Sequence, residues 1–452
     1  MLIGNAEVEG LICAVRIRDG MISDIASHLA PQPEERFIDG KGCALLPGLH
    51  DHHIHLNASA AALHSVHCGP PKVGNTEQLI GALQNAPGTR WIRGIGYHHA
   101  VAGEIDRNWL DENGPDRPIR IQHRGGRMWV LNSEAMCLLE MDVPENGCLV
   151  DGDMELRQKL GLQRPDLGSL IAMLHSHGIT GVTEVTPGND RHDFAHYSNK
   201  APLLNMTIMG SKDLHGIENT GRANVGPLKI HNHDYNLPPL AELTGQIADA
   251  HDHDRAVAIH CVTRAEMMLS LAAIEEAGVH AGDRIEHAAI ADVDIIRQIA
   301  KLNLTVVTQP HFITERQEAY RRDVEPYEKP NLWRLKSFSE AGVKLAAGSD
   351  APFGKLNPWE AMASAVERPN GFNQDEAISP ETALSLYTKP KDNAGAMPRK
   401  IAVGEPADLC LLDSSWGMAK SDFASVTVKA TWIAGELVYD TISSTNPHSS
   451  AV

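Results

Sequence analysis

Nowhere in the 452 residues does the chain approach the roughly 18 consecutive apolar positions of a membrane-spanning helix, so the sequence excludes one. Cysteine is scarce. The seven thiols, Cys13, Cys43, Cys68, Cys137, Cys148, Cys261 and Cys410, are odd in number, scattered and never spaced as Cys-x-x-Cys. That pattern fits reduced thiols in a cytoplasm better than a disulfide framework. Positive charge is short as well: 40 Lys and Arg against 58 Asp and Glu leave a net charge of −18. Such a balance speaks against nucleic acid or an anionic membrane as the main partner. The stretch from Met1 to Glu9 lacks basic residues and carries acids where a secretion signal would be apolar, so a cytoplasmic protein is expected. Internal repeats, low-complexity tracts and long charge runs are missing too. Only the small, polar tail from Ser443 to Val452 is expected to stay unstructured.

What the chain does have is apolar material and histidine. A hydrophobic fraction of 42% is that of a globular protein with a large core. Its 24 histidines outnumber Phe, Tyr and Trp together, at 7 each, which raises the expectation of metal or acid–base chemistry. Near the N-terminus, Leu2 to Val8, Ile12 to Arg18 and Met21 to Ile25 read as short strands, with Asp19-Gly20 as a turn. The stretch from Ala407 to Tyr439 has the same texture. Each end alone is too small to bury a core, so residues 1–46 and 396–452 are expected to form one β-sandwich domain.

Between them, residues 47–395 switch between short β-branched runs and amphipathic helical stretches, the signature of a parallel sheet or barrel. Strands are predicted near 49–55, 181–186, 203–209, 227–232, 256–262, 284–288, 304–309 and 344–350, and helices at 239–253, 264–277, 291–302 and 331–341. The strand count suits a (β/α)8 barrel of the TIM type, provided that about 65–165 is an insertion after the first strand.

The strongest chemical signal is Pro47-Gly48-Leu49-His50-Asp51-His52-His53-Ile54-His55-Leu56. Alternation along a strand puts Asp51, His53 and His55 on one face and His50 and His52 on the other. Two imidazoles spaced in this way can grip one cation from one side. His50-x-His52 has the same spacing, but the Pro-Gly entry and an Asp two residues before the first ligand favour His53 and His55. His260, His287 and Asp350 fall at the C-terminal ends of predicted strands, where such a barrel places its site. Each alone reads more readily as a structural residue. Together they point to a divalent metal held by imidazole and carboxylate, zinc among others. Lys229, in the apolar run Pro227-Leu228-Lys229-Ile230-His231, is a further candidate. Its ammonium would be costly to bury beside cations. Carboxylated by CO2, it would become an anionic bridge between two metals.

Taken in order, Asp51-x-His53-x-His55, Lys229, His260, His287 and Gly348-Ser349-Asp350-Ala351-Pro352 resemble the amidohydrolase superfamily over nearly the whole chain. The segment around Lys229 also resembles that of the carboxylated lysine of urease. Within the predicted insertion, Asp116-Arg117-Pro118 and Arg124-Gly125-Gly126-Arg127-Met128-Trp129-Val130-Leu131-Asn132-Ser133-Glu134-Ala135 are similar to the branch that includes N-substituted formamide deformylase. Arg127 stands where that branch commonly has His, and the segment from Gly147 to Gly161 is shortened. The resemblance implies two divalent metal ions, zinc or else manganese, cobalt or iron. His53, His55 and Asp350 would hold the more buried ion and His260 and His287 the more exposed one, with carboxylated Lys229 and a hydroxide between them. It further implies that Asp350 carries the proton and that His231 contacts the substrate carbonyl. His311, Arg124 and Arg127 are the remaining substrate-contact candidates.

The function expected is hydrolysis of a carbon–nitrogen bond of an amide, formamide or cyclic amide in a small molecule. A lactone, ester or carbamate hydrolase would use the same site. A mononuclear deaminase fits less well, since that group usually lacks the lysine and has Glu two residues after a His, whereas Cys261 and Val262 follow His260. A non-catalytic relative would be expected to have lost ligands. Fold alone does not separate these readings, and homo-oligomerisation is left open.

Overall fold

The β-branched and apolar runs in the middle of the chain become eight parallel strands in the computed structural model, which describes residues 1–70, 72–161 and 164–442. The tail from Ser443 to Val452 lies outside the described residues. The strands are β1 (Leu49–Ile54), β2 (Ile179–Glu184), β3 (Asn205–Gly210), β4 (Ala223–Ile230), β5 (Val257–Cys261), β6 (Arg284–His287), β7 (Thr305–Thr308) and β8 (Lys344–Ala347). Each pairs with the next in chain order. Every residue of β1 and of β2 is buried, as expected for strands covered on both faces.

Helices carry the chain back between strands: α1 (Leu240–Asp252), α2 (Arg264–Ala277), α3 (Val293–Lys301) and α4 (Leu335–Glu340) precede β5, β6, β7 and β8. Their starts are written locally. Thr263 and Glu266 form a capping box at α2, each accepting from the other's backbone N–H. At α3, Asp292 accepts from the amides of Asp294 and Ile295, and Ile295, Ile296 and Ile299 make the buried stripe.

The two ends of the sheet meet just past β8. Asp350 N–H donates to His53 O at 2.7 Å, His55 N–H donates to Ala351 O at 3.0 Å, and Ile54 and Ala351 form a parallel bridge. Asp51 Oδ1 accepts from the amides of Ser349 at 2.9 Å and His53 at 3.0 Å. Glycine is required at this seam, because a Cβ on Gly348 would stand 2.3 Å from His53 N. The strands thus make a nearly closed (β/α)8 barrel of the TIM type, and its seam lies at the strand ends that carry His53, His55 and Asp350.

One expectation fails along β1. Val182 is opposite Asp51 but Glu184 is opposite Ile54, so β1 carries an extra residue and the strict alternation of faces is interrupted. His50 and His52 do pair, with ring centroids 4.3 Å apart. Asp51, expected beside His53 and His55, instead turns its carboxylate onto the seam amides.

Both chain ends supply antiparallel structure. Leu2–Val8, Leu11–Arg18, Met21–Ala26 and Phe37–Asp39 form one four-stranded sheet, and Leu45–Pro47, Leu409–Leu412, Val428–Ile433 and Glu436–Asp440 form another. Ile3, Val15 and Ile22 from the first share one buried core with Leu411 and Trp432 from the second, so the sheets stack as a sandwich.

Asn57–Leu167 is a separate compact unit, placed in the chain between β1 and β2. Its own five-stranded sheet contains Ile92–Tyr97, Ile119–His123 and Met128–Leu131 and buries Leu79, Leu83, Leu110 and Ile121. No described helix is long and apolar enough to cross a membrane.

Candidate metal centre

His53 Nε2 and His55 Nε2 lie 3.3 and 3.4 Å from Asp350 Oδ1. One donor atom from each of the three falls within 4.8 Å of the others. His287, ending β6, brings its ring to 4.7 Å from that of His53 and 4.5 Å from that of His260 on β5. The His260 ring is 4.0 Å from His231, the first residue after β4. Lys229, on β4, is buried, and its Nζ has no hydrogen-bond partner. Five strand ends therefore gather all six ligand candidates.

The backbone is bent to do this. His287 and Asp350 sit at φ 70° and 52°, left-handed conformations that cost a non-glycine residue about 1–3 kcal/mol each. The hydrogen bond from Asp350 N to His53 O, and that from Ala288 N to Cys261 O at 3.0 Å, hold these turns in place.

Each of three imidazoles is anchored through Nδ1. His53 Nδ1 contacts a carboxylate oxygen of Glu286, His55 Nδ1 meets Thr186 Oγ1 at 3.1 Å, and His287 Nδ1 meets Gln309 Oε1 at 2.7 Å. Engaging Nδ1 leaves Nε2 to ligate, the usual arrangement around metal-bound histidine. Glu286 is fully buried and is itself held: Arg284 Nε donates to it at 2.5 Å, and Arg284 Nη2 donates to His52 O at 3.0 Å.

The electrostatics suit a cation. Burial, followed by the neighbouring His287 and His231, drives His260 well below the ordinary imidazole range. Burial and His53 push His287 down to about 3. For Asp350, burial works toward protonation, but hydrogen bonds from His53 and His55 hold the group well below the usual carboxylate range. Burial brings Lys229 down to about 8 against the opposing pull of Glu286. Neutral His260 and His287, an ionised Asp350 and a buried Lys229 amine without a hydrogen-bond partner belong to a donor set that fits a divalent metal.

The remaining candidates are placed as follows. His231 is exposed at the end of β4, with its ring 4.6 Å from His233. His311 is buried and sits beside the seam, with Nε2 3.0 Å from Ser349 O. Arg124 and Arg127 belong to the Asn57–Leu167 unit, where the Arg127 guanidinium pairs with Asp151. Glu286, Thr186 and Gln309 were not singled out from the sequence. Neither was Glu184, whose carboxylate accepts from the amides of Leu56 at 2.5 Å and Thr186 at 2.9 Å. One signal was available for Glu286: an acid directly before a candidate ligand at a strand end.

Glu286→Gln keeps the volume and removes the charge. It is expected to weaken metal retention by roughly 10–100-fold, the usual loss when such a supporting partner is removed. Competition with a chelator of known affinity measures this. Unaltered retention would mean that something else orients His53.

Residues 36–209 and 228–439 match the amidohydrolase family. N-substituted formamide deformylase from Arthrobacter pascens is 24% identical, over 94% of this chain and 95% of its own. A solved metal-dependent hydrolase from Pyrococcus furiosus, uncharacterized, aligns with a TM-score of 0.73 at 22% identity, over 91% of this chain and 98% of its own. Atrazine chlorohydrolase TrzN from Arthrobacter aurescens TC1, solved in complex with zinc, aligns at a TM-score of 0.60 and 13% identity, over 97% and 95%. The solved structures agree on the fold. The family match runs through the barrel into the strands of both chain ends. The chain belongs to the amidohydrolase family.

Proposed function

We propose that this amidohydrolase cleaves a carbon–nitrogen bond in an amide, formamide or cyclic amide, using two divalent metal ions, zinc in the first instance. The observation that carries the reading is the gathering of His53, His55, Lys229, His260, His287 and Asp350 at the C-terminal ends of one barrel, where such barrels do their chemistry. The formamide deformylase relative supports the bond type.

His53, His55 and Asp350 would hold one ion and His260 and His287 the other, with Lys229, carboxylated by CO2, as a further ligand. When bound, the metals supply a water of lowered pKa and a Lewis acid for the carbonyl. Lys229 is prepared for its part. Only an unprotonated amine attacks CO2, forming an N–C bond and releasing a proton, and burial enlarges that fraction. Asp350 aims a water at the carbonyl carbon, takes its proton and delivers it to the departing nitrogen. His231, open to solvent next to His260, donates to the carbonyl oxygen, and His311 steadies the backbone at Ser349. A cytoplasmic location belongs to the same reading, in keeping with seven free cysteines.

The test is a substrate panel. Purified protein supplied with zinc, manganese or cobalt is assayed on formamides, lactams, lactones, esters and carbamates. The highest kcat/KM is expected on a formamide or other amide. A clear preference for a lactone or ester would reassign the reaction, and inertness toward every class would contradict it.

A further inference from the structure

A second set of donors converges away from the six ligand candidates. His215 closes the short helical turn Lys212–Leu214 between β3 and β4, Asp249 lies on the last turn of α1, and His253 caps that helix. One donor atom from each falls within 4.8 Å of the others. The end of α1 leads through Arg255 and Ala256 into the start of β5, whereas His260 lies near the other end of that strand. His215 follows the end of β3 while Asp249 and His253 precede β5, so the cluster shares no residue with the six ligand candidates.

Its parts are arranged for ligation. Asp249 and His253 are four residues apart, so their side chains stack on one helical face. His253 Nδ1–H donates to Asp249 O at 2.7 Å. That bond caps the helix and also sets the tautomer, leaving the lone pair on Nε2. The His215 ring lies 4.3 Å from that of His253, and His215 Nε2 is buried without a hydrogen-bond partner. A buried ring nitrogen left in this state costs free energy that a bound ion or water recovers. Two basic groups stand nearby, Arg255 and Lys212. The Arg255 guanidinium is committed to backbone carbonyls, donating to Gly226 O at 2.7 Å, Ser211 O at 2.6 Å, Pro227 O at 3.0 Å and Gly210 O at 3.2 Å. Among the described residues, the Asp249 carboxylate has only a distant ion pair, 3.9 Å from His253 Nδ1.

We infer that His215, Asp249 and His253 form an additional divalent-cation site, selective for a borderline metal such as zinc and separate from the hydrolytic centre. Two imidazoles and a carboxylate are a zinc donor set with room for a water as fourth ligand. An ion there ties the β3–β4 connection to the end of α1. Its role is to stabilise the barrel rather than to take part in turnover, since it joins two connecting segments and shares no residue with the hydrolytic centre. The inference does not rest on the hydrolase reading.

Equilibrium dialysis of the full chain against zinc, followed by elemental analysis, tests it on the wild type, His215→Asn and the double variant Asp249→Asn/His253→Asn. His215→Asn lies outside the helix and decides the matter if the double variant does not fold. The wild type is expected to hold one zinc per chain more than either variant and to gain more in Tm on zinc addition, with turnover equal in all three. Equal zinc contents would overturn the site and leave the gap to water. Loss of turnover together with the ion would overturn its independence.

Discussion

Asp350→Asn is expected to lower turnover by at least roughly 10²-fold, the low end for losing a positioned acid–base group. The substitution keeps the size of the side chain and one oxygen for ligation. It removes the negative charge that two imidazoles now approach at 3.3 and 3.4 Å, and with it the capacity to accept a proton. The backbone is spared, since the seam bond to His53 O comes from the Asp350 amide. Steady-state kcat, measured on protein whose metal content has been determined, is the readout. Asp51→Asn is the control: that carboxylate is just as buried but bonds seam amides, so its loss should register in Tm before kcat. Near-normal turnover of metallated Asp350→Asn would show that the proton is carried elsewhere.

Lys229→Ala is expected to lose one of two metals and most of the activity. The reason lies in what surrounds the amine. Nζ is buried and without a partner, among His53, His287, Asp350 and Glu286, which act on it or are acted on by it electrostatically. An ammonium there would repel bound cations, whereas a carbamate would supply oxygen ligands and offset part of their charge. Acetate or formate should restore some metal and some activity by occupying the vacated position. Native mass measurement of the wild type should show the gain of one CO2, absent from the variant. Unmodified Lys229 in fully metallated, active protein would remove the bridge and leave a single-metal mechanism.

The ligand candidates were legible because such residues leave a local trace: a histidine or aspartate at the end of a predicted strand. His260, His287 and Asp350 each carry it, and His53 and His55 add the two-residue spacing. Strand positions came within a few residues for the same reason. For β4 the expected start was Pro227, whereas the strand begins at Ala223, since proline reads as punctuation but here sits inside a strand. The supporting partners left no such trace. Glu286 reaches His53 across 233 residues of chain, and Thr186 reaches His55 across 131. Contacts of that kind exist only after the barrel closes. Asp51 was misplaced because one extra residue in β1 shifts the facing of side chains, and nothing in a ten-residue window reveals where a bulge will fall. Arg127 matched a motif position, but its pairing with Asp151 depends on a hydrogen-bonded sheet partner, Met128 opposite Val150.

Hydrolysis by this chain is expected to depend on metal held by these strand ends. The most direct measurement follows one preparation through chelation and reconstitution, with elemental analysis and amide hydrolysis recorded at each stage. Activity should fall with the metal removed and return when zinc, manganese or cobalt is restored. Full activity in protein shown to be metal-free would contradict it.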